Sequence, residues 1–201
     1  MTVNKKIVFV AAPPASGKTY VCERLAQAAY PAAYLDKDDL ADLIRAAFRA
    51  SGNEVNMDGE FYINNLRPSE YSTLLNIAFS LLRFEDTVIV GAPFGKEVRD
   101  VEFIRGLKER ANAHFAELIL VWVNTPKELC YERMKARSSD RDVLKLQNFD
   151  EYAKKINYNP PYELKESEAV DHLVIFDTSS DEAFDKSLNL TLKLLKKRFG
   201  D

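Results

Sequence analysis

The sequence predicts a single α/β domain, in which a five-stranded parallel sheet carries helices on both of its faces. Three observations support this prediction. Five short apolar runs have the length and composition of buried strands, helical patterns separate them, and no linker, repeat or low-complexity tract interrupts the 201 residues. Strands that alternate with helices form βαβ units, whose strands run parallel. We therefore expect residues 1–201 to form one domain.

The first half of the chain contains three predicted strands and three predicted helices. The residues from Ile7 to Ala11 are continuously apolar, which is typical of a strand buried on both faces. Apolar residues from Leu40 to Phe48 recur at the spacing of one helix face. Pro68 opens a further helix after a polar loop. In order, the predicted elements are a strand over 7–11, a helix over 18–29, a strand over 33–35, helices over 40–48 and 68–84, and a strand over 87–90.

The second half contains two further apolar runs, which predict strands over 118–123 and 173–176. Pro126 suits the first turn of a helix that follows the fourth strand. Ser179, with Glu182 three residues later, predicts a capping box at the start of the last helix.

Composition and charge exclude several classes of protein. Apolar residues make up 46% of the chain, which excludes global disorder. The net charge of −3 lacks the basic surplus that nonspecific nucleic-acid binding requires, so a nucleic-acid partner is not expected. No apolar run approaches the roughly 20 residues that span a bilayer, and the first residues are too polar for a signal peptide. We expect a cytoplasmic protein with no membrane partner.

The most informative motif lies between the first predicted strand and the first predicted helix, where the sequence is Ala12-Pro13-Pro14-Ala15-Ser16-Gly17-Lys18-Thr19. It fits the phosphate-loop pattern GxxxxGK[ST] except at its first position. Backbone N–H groups, the helix N-terminus and a lysine together attract phosphate, and the threonine hydroxyl can ligate Mg²⁺. An ordinary strand-to-helix turn would gain nothing from a lysine there. The residues expected to bind the nucleotide here are Pro14, Ala15, Ser16, Gly17, Lys18, Thr19 and Tyr20, with Thr19 as the metal ligand.

A cluster of carboxylates follows the second predicted strand. Ligands of doubly wound sheets bind beyond the carboxyl ends of the strands, which is where Asp36, Asp38 and Asp39 lie. A carboxylate at this place can accept the proton of an attacking hydroxyl or hold a metal-bound water. Capping of the next helix is the alternative role.

Three arginines follow the fourth predicted strand at a spacing of four. Arg133, Arg137 and Arg141 would share one helix face if the helix continued through them. Arginines above a phosphate site stabilise the charge that develops during phosphoryl transfer. A solvated face paired with neighbouring acids is the alternative.

With these motifs, the chain resembles the P-loop kinases of the "predicted kinase" group, which is related to zeta-toxin, chloramphenicol phosphotransferase and polynucleotide kinase. The typical loop of that group is Gly-x-Pro-Gly-Ser-Gly-Lys-Ser/Thr, and Ala12 and Ala15 stand here at its two early glycines. The resemblance implies a three-layer P-loop NTPase sandwich with a helical lid at about 133–148. It also implies transfer of the γ-phosphate of ATP, with Mg²⁺, to a hydroxyl of a small molecule, by a monomer or homodimer.

The resemblance also implies roles for individual residues. Asp38 would be the catalytic base, with Asp36 as the alternative, and Lys18 would hold the β- and γ-phosphates. Arg137 would reach the γ-phosphate, and Arg133 the adenine or a phosphate. Gly91 departs from the pattern, because many P-loop enzymes carry a metal-ordering aspartate at the end of the third strand.

Three other functions stay open at this point. One is a nucleotide or polynucleotide kinase, and another is a zeta-toxin-like kinase of a nucleotide sugar. The third is a nucleotide-binding regulatory protein with little turnover, which the substitutions at Ala12, Ala15 and Gly91 favour.

Overall fold

The computed structural model describes residues 5–137, 139 and 142–196. Its centre is a five-stranded sheet in the order β2-β3-β1-β4-β5, in which all paired strands run parallel. The strands are β1 (Lys5–Ala11), β2 (Ala33–Asp36), β3 (Thr87–Gly91), β4 (Ala116–Asn124) and β5 (His172–Asp177). The structure therefore confirms the predicted fold class and all five predicted strands.

Helices connect these strands and cover the sheet. They are α1 (Lys18–Ala28), α2 (Ala41–Ser51), α3 (Arg67–Leu81), α4 (Val101–Ala113), α5 (Lys127–Arg137), α6 (Val143–Gln147), α7 (Phe149–Lys154), α8 (Glu163–Glu166) and α9 (Asp181–Lys196). A short 3₁₀ segment, Lys37–Leu40, precedes α2, and a π-helical turn, Tyr62–Leu66, leads into α3. None of the described helices is long and apolar enough to cross a lipid bilayer.

Strand β1 divides the core into two layers. Its side chains alternate, so Ile7 and Phe9 pack with α3 and α4, whereas Val8 and Val10 pack with α1 and α9. Residues on both faces of β1 are therefore almost completely buried, which explains why the run is continuously apolar rather than alternating.

The predictions about helices require correction. Helix α4 was not predicted, because charged residues and Gly106 interrupt its apolar positions; Asp100 begins it by accepting a hydrogen bond from the Phe103 amide. The predicted capping box at Ser179 is wrong. Ser180 caps α9 instead, since its hydroxyl accepts a 3.1 Å hydrogen bond from the Ala183 amide, while the Ser179 amide donates to Asp177.

The segment predicted as a lid contains the end of α5, then α6, and reaches the start of α7. Its role as a lid stays a prediction. Within it, Arg133 and Arg137 lie on α5, which ends at Arg137. Arg141, the third arginine of the predicted row, lies outside the described residues.

The strand order brings the proposed site residues to one edge of the sheet. Strand β3 lies between β1 and β2, with Gly91 paired to Val10 on one side and to Asp36 on the other. The phosphate loop that follows β1 is therefore close to the carboxylates that follow β2.

Candidate active site

The phosphate loop connects β1 to α1 and leaves the first amides of α1 uncapped by side chains. Gly17 precedes α1 with a left-handed φ of 89°, and its residue type supplies no side chain to cap the helix. The first turn of α1 contains no acidic residue. The Ser16 hydroxyl folds back onto the loop and donates a 2.7 Å hydrogen bond to the Pro13 carbonyl. These amides and the positive end of the α1 dipole are thus available to an anion.

The two alanines that replace glycines have different backbone conformations. Ala15 has a φ of 62°, in the left-handed region that favours glycine, whereas Ala12 is not among the residues with positive φ. Ala12 is also 4% exposed and packs in the core layer beside α1. Only Ala15 therefore bears the left-handed penalty, about 1 to 2 kcal/mol.

Ala15→Gly is expected to raise the free energy of unfolding by about 0.5 kcal/mol, because relief of the left-handed strain exceeds the added freedom of the unfolded chain. Ala12→Gly provides the matched control, and it is expected to lower that free energy by at least about 1 kcal/mol through lost packing and added freedom. Urea unfolding without nucleotide measures both. If both variants lost the same free energy of unfolding, the assignment of strain to Ala15 would be contradicted.

Asp36, the last residue of β2, is the centre of the site. Its Oδ2 lies 3.0 Å from the Lys18 ammonium and accepts a 2.6 Å hydrogen bond from the Tyr34 hydroxyl. The Thr19 hydroxyl is 3.4 Å from the same oxygen, and Oδ1 accepts from the Asp38 amide at 3.0 Å. Burial favours a raised pKa for Asp36, but the Asp38 amide, Lys18 and Tyr34 together outweigh it and hold the pKa below its ordinary value. Asp36 is therefore an anion at neutral pH.

Gly91 on β3 faces this carboxylate. A Cβ at Gly91 would lie 3.0 Å from the Cys22 sulfur, 3.1 Å from the Lys18 ammonium and 3.3 Å from Asp36 Oδ2. A side chain there would therefore crowd Cys22 and the Lys18–Asp36 pair. The carboxylate that many P-loop enzymes carry on the third strand is thus absent here, and the Asp36 carboxylate from β2 lies next to its position.

Asp38 and Arg137 lie on different elements and are close enough to interact electrostatically. The Asp38 side chain is 62% exposed and lies 3.5 Å from the Lys37 ammonium. Arg137 donates two hydrogen bonds to the buried Asp142, one of them 2.8 Å long. These bonds raise the pKa of Arg137, and Asp38 is close enough to add to the effect. Arg137 therefore lies near the predicted base but is bound to Asp142.

Arg133 contacts the backbone of the phosphate loop. Its guanidinium donates to the Ser16 carbonyl at 2.9 Å and to the Thr178 carbonyl at 3.1 Å. Thr125 also donates to the Ser16 carbonyl, at 3.0 Å. Arg133 thus joins the loop to the segment after β5. Tyr20, which was predicted to bind the nucleotide, is 57% exposed and packs against Phe184 of α9.

The sequence analysis did not identify two members of the site. Tyr34 lies two residues before Asp36, so the two side chains share one face of β2, and this spacing was a usable signal. Cys22 is the second of these residues and is completely buried. It lies one turn after Lys18, and burial raises its pKa to about 12, so it remains a neutral thiol beside the charged pair.

The oxygen ligands of the site fit a magnesium nucleotide. No group of three or more His, Cys, Asp or Glu side chains within the described residues could hold a metal ion by itself. Mg²⁺ usually takes one or two protein oxygens together with phosphate oxygens and water. Thr19 and Asp36 supply such oxygens beside the uncapped end of α1.

Comparisons with known proteins identify a family and a fold. The profile of a family described as "AAA domain" matches residues 7–157. No curated protein matches the sequence. A candidate kinase from Chloroflexus aurantiacus J-10-fl is similar in structure, with a TM-score of 0.64 at 16% identity over 96% of this chain and 97% of that chain.

Two further similar structures are enzymes bound to small molecules. The APS kinase of Mycobacterium tuberculosis, in complex with AMPPNP and APS, has a TM-score of 0.55 at 17% identity, over 96% of this chain and 99% of that chain. The shikimate kinase of Acinetobacter baumannii, in complex with shikimate, has a TM-score of 0.54 at 17% identity, over 97% of this chain and 96% of that chain. These likenesses show the P-loop NTPase fold. The narrower resemblance to zeta-toxin, chloramphenicol phosphotransferase and polynucleotide kinase stays a prediction.

Proposed function

The chain belongs to the AAA domain family, and from this premise we propose that it is a P-loop kinase that transfers the γ-phosphate of ATP to a hydroxyl of a small molecule. The observation that carries the proposal is the convergence of Lys18, Thr19 and Tyr34 on Asp36, next to the uncapped N-terminus of α1. This arrangement supplies positive charge, a hydroxyl and a carboxylate at the place where a triphosphate would lie.

Each of these groups has a separate task in the proposed reaction. When bound, magnesium ATP supplies an activated phosphoryl group whose charge the metal partly neutralises. Lys18 and the loop amides hold the β- and γ-phosphates. Thr19 and Asp36 would hold the metal, and Tyr34 fixes Asp36 through its 2.6 Å hydrogen bond.

Asp38 acts as the base, because its exposed carboxylate lies outside the buried Lys18–Asp36 pair. It takes the proton from the acceptor hydroxyl as that oxygen bonds to the γ-phosphorus and the bond from phosphorus to ADP breaks. Arg137 stabilises the equatorial phosphoryl oxygens after it exchanges Asp142 for them. Arg133 holds the loop backbone in place while this occurs.

A small acceptor is favoured over a polymer. The net charge of −3 gives no electrostatic attraction for a polynucleotide. The similar structures include kinases bound to APS and to shikimate, both small molecules. A nucleotide-binding protein without turnover is the rival, and the charged pair beside Gly91 argues against it because the missing carboxylate has a substitute.

Calorimetric titration with ATP, with and without Mg²⁺, tests the proposal. We expect micromolar binding that strengthens with Mg²⁺, since Thr19 and Asp36 would share the metal with the phosphates. ADP formation is then measured across a panel of hydroxyl compounds that includes nucleosides and nucleotide sugars. Absence of ATP binding contradicts the proposal. Tight binding without turnover for any acceptor favours the regulatory protein.

A further inference from the structure

A polar network leads away from Asp38. The Lys37 ammonium lies 3.5 Å from Asp38 and 3.1 Å from Glu70 Oε1. The side chain of Glu70 is completely buried, and its other oxygen accepts a hydrogen bond from the Tyr62 hydroxyl. Lys37 therefore connects the predicted base to a carboxylate in the interior of the α3 region.

The network continues through α3 to the loop after β3. Arg67, three residues before Glu70, forms two bonds to Glu97, of 2.6 and 2.9 Å. Its guanidinium also stacks on the Tyr71 ring at 4.3 Å. Because the bidentate pair uses both terminal guanidinium nitrogens and both carboxylate oxygens, its orientation is fixed.

Arg99, two residues after Glu97, forms the next part of the network. It lies 3.1 Å from Glu163, donates to the Asn159 carbonyl, and stacks over the Trp122 ring at 5.1 Å. It therefore connects the loop after β3 with the segment that follows the lid helices.

Residues of α5 and α7 also lie close to Asp38 or to one another. Burial and the neighbouring Tyr158 raise the pKa of Tyr152, and Arg137 lies close enough to oppose this shift. Arg137 in turn is close to Asp38. Asn159, whose carbonyl accepts from Arg99, directly follows Tyr158. We call this series of residues, from Asp38 through Lys37, Arg67 and Arg99 to Arg137, the ring; some of its members are joined by side-chain contacts and others by neighbouring positions in the chain.

The cations of this ring are already neutralised. Lys37, Arg67 and Arg99 are half-buried or less exposed. Arg67 and Arg99 are paired with Glu97 and Glu163, and Lys37 is paired with both Glu70 and Asp38. Arg137 is paired with Asp142 in the same way. An acidic ligand would thus have to displace a carboxylate, and it would meet the negative charge of Asp38 as well.

The same region contains buried donors that lack acceptors. Within the described part of the chain, Arg99 Nε, Trp122 Nε1 and the Tyr158 hydroxyl make no hydrogen bond. Trp122 is 2% exposed. Buried polar groups are nearly always hydrogen-bonded, so these three favour a ligand that brings oxygen acceptors.

From this charge balance and these donors we propose that the ring binds the phosphoryl acceptor, and that this acceptor is a neutral, hydroxyl-rich compound such as a sugar or polyol rather than an acid. The inference rests on the proposed kinase function, because it assigns the acceptor side of the same site. Hydroxyl oxygens would satisfy the three donors without requiring an unpaired cation.

Matched acceptor pairs test the proposal: sorbitol with gluconate, glycerol with glycerate, and myo-inositol with quinate. ADP formation is measured with each, and ATP binding is measured separately by calorimetry. In the wild type, at least one polyol is expected to be preferred over its acid by about tenfold or more, as expected for one unfavourable charge in a half-buried site. Glu97→Gln frees Arg67 from its carboxylate and is expected to shift this preference toward the acid by about tenfold.

Two further variants make the result interpretable. Glu102→Gln removes the same charge at an exposed position on α4 and is expected to keep the wild-type preference. Tyr158→Phe is expected to raise the KM of the polyol about fivefold without changing the affinity for ATP. If acids are used as well as polyols, or if ATP binds but no polyol stimulates ADP formation, the acceptor class is overturned while nucleotide binding stands. If ATP does not bind, the proposed function fails as well.

Discussion

Lys18→Ala is expected to lower the affinity for ATP by about a hundredfold or more, since it removes the cation of a charge pair in a largely buried site. Turnover is expected to fall by about a thousandfold, because the same ammonium would stabilise the charge that develops during transfer. The structure indicates a further consequence of this substitution. Loss of Lys18 leaves the Asp36 carboxylate with the Tyr34 hydroxyl and the Asp38 amide but without a nearby cation.

Calorimetry measures the affinity for ATP, and steady-state kinetics measures turnover. Thermal unfolding shows whether either loss comes from a loss of stability. Lys186→Ala, at an exposed position on α9, is the matched control and is expected to behave like the wild type. If Lys18→Ala retained ATP binding while remaining folded, the assignment of the phosphate loop would be wrong.

The phosphate loop and the strands could be predicted because their signals are local. A continuously apolar run indicates a buried strand, and the Gly17-Lys18-Thr19 sequence indicates a helix that opens on a phosphate site. The conformational difference between Ala12 and Ala15 could not be predicted in the same way. Both stand at glycine positions of the motif, and only the path of the loop between β1 and α1 gives Ala15 its positive φ.

The division of tasks between Asp36 and Asp38 also depends on tertiary structure. The two residues are neighbours in one acidic cluster, and the sequence gives both a place at the sheet edge. Pairing of β2 with β3 turns Asp36 toward Gly91 and Lys18. Asp38, in the 3₁₀ segment, instead lies near Lys37 and Arg137.

The ring beyond Asp38 shows the limit of sequence reasoning most clearly. Nothing in the sequence around Arg67 identifies its partner. Glu97 is 30 residues away, and the contact depends on how α3 packs beside the loop after β3. A pairing between residues so far apart in the sequence changes the interpretation of the arginine: it is a neutralised cation and not a free anion site.

Asp38→Asn separates the two carboxylates by their effect on kinetics. We expect turnover to fall by about a hundredfold to ten-thousandfold, because an amide cannot accept the proton of the attacking hydroxyl. The affinity for ATP should stay close to that of the wild type, since the Lys18–Asp36 pair and the phosphate loop are unchanged. Asp42→Asn, which alters a fully exposed carboxylate on α2, is the control and should leave both quantities unchanged.

Asp36→Asn is expected to behave differently from Asp38→Asn, and the difference tests the assignment. The substitution removes the partner of Lys18 and the carboxylate beside Thr19. Turnover should therefore fall, and the Mg²⁺ concentration needed for half-maximal turnover should rise. A requirement for more Mg²⁺ in Asp36→Asn alone would support the metal role of Asp36. If Asp38→Asn kept the wild-type rate and Asp36→Asn lost it at every Mg²⁺ concentration, Asp36 would be the base, and its carboxylate, rather than the exposed Asp38 carboxylate, would take the proton of the acceptor hydroxyl.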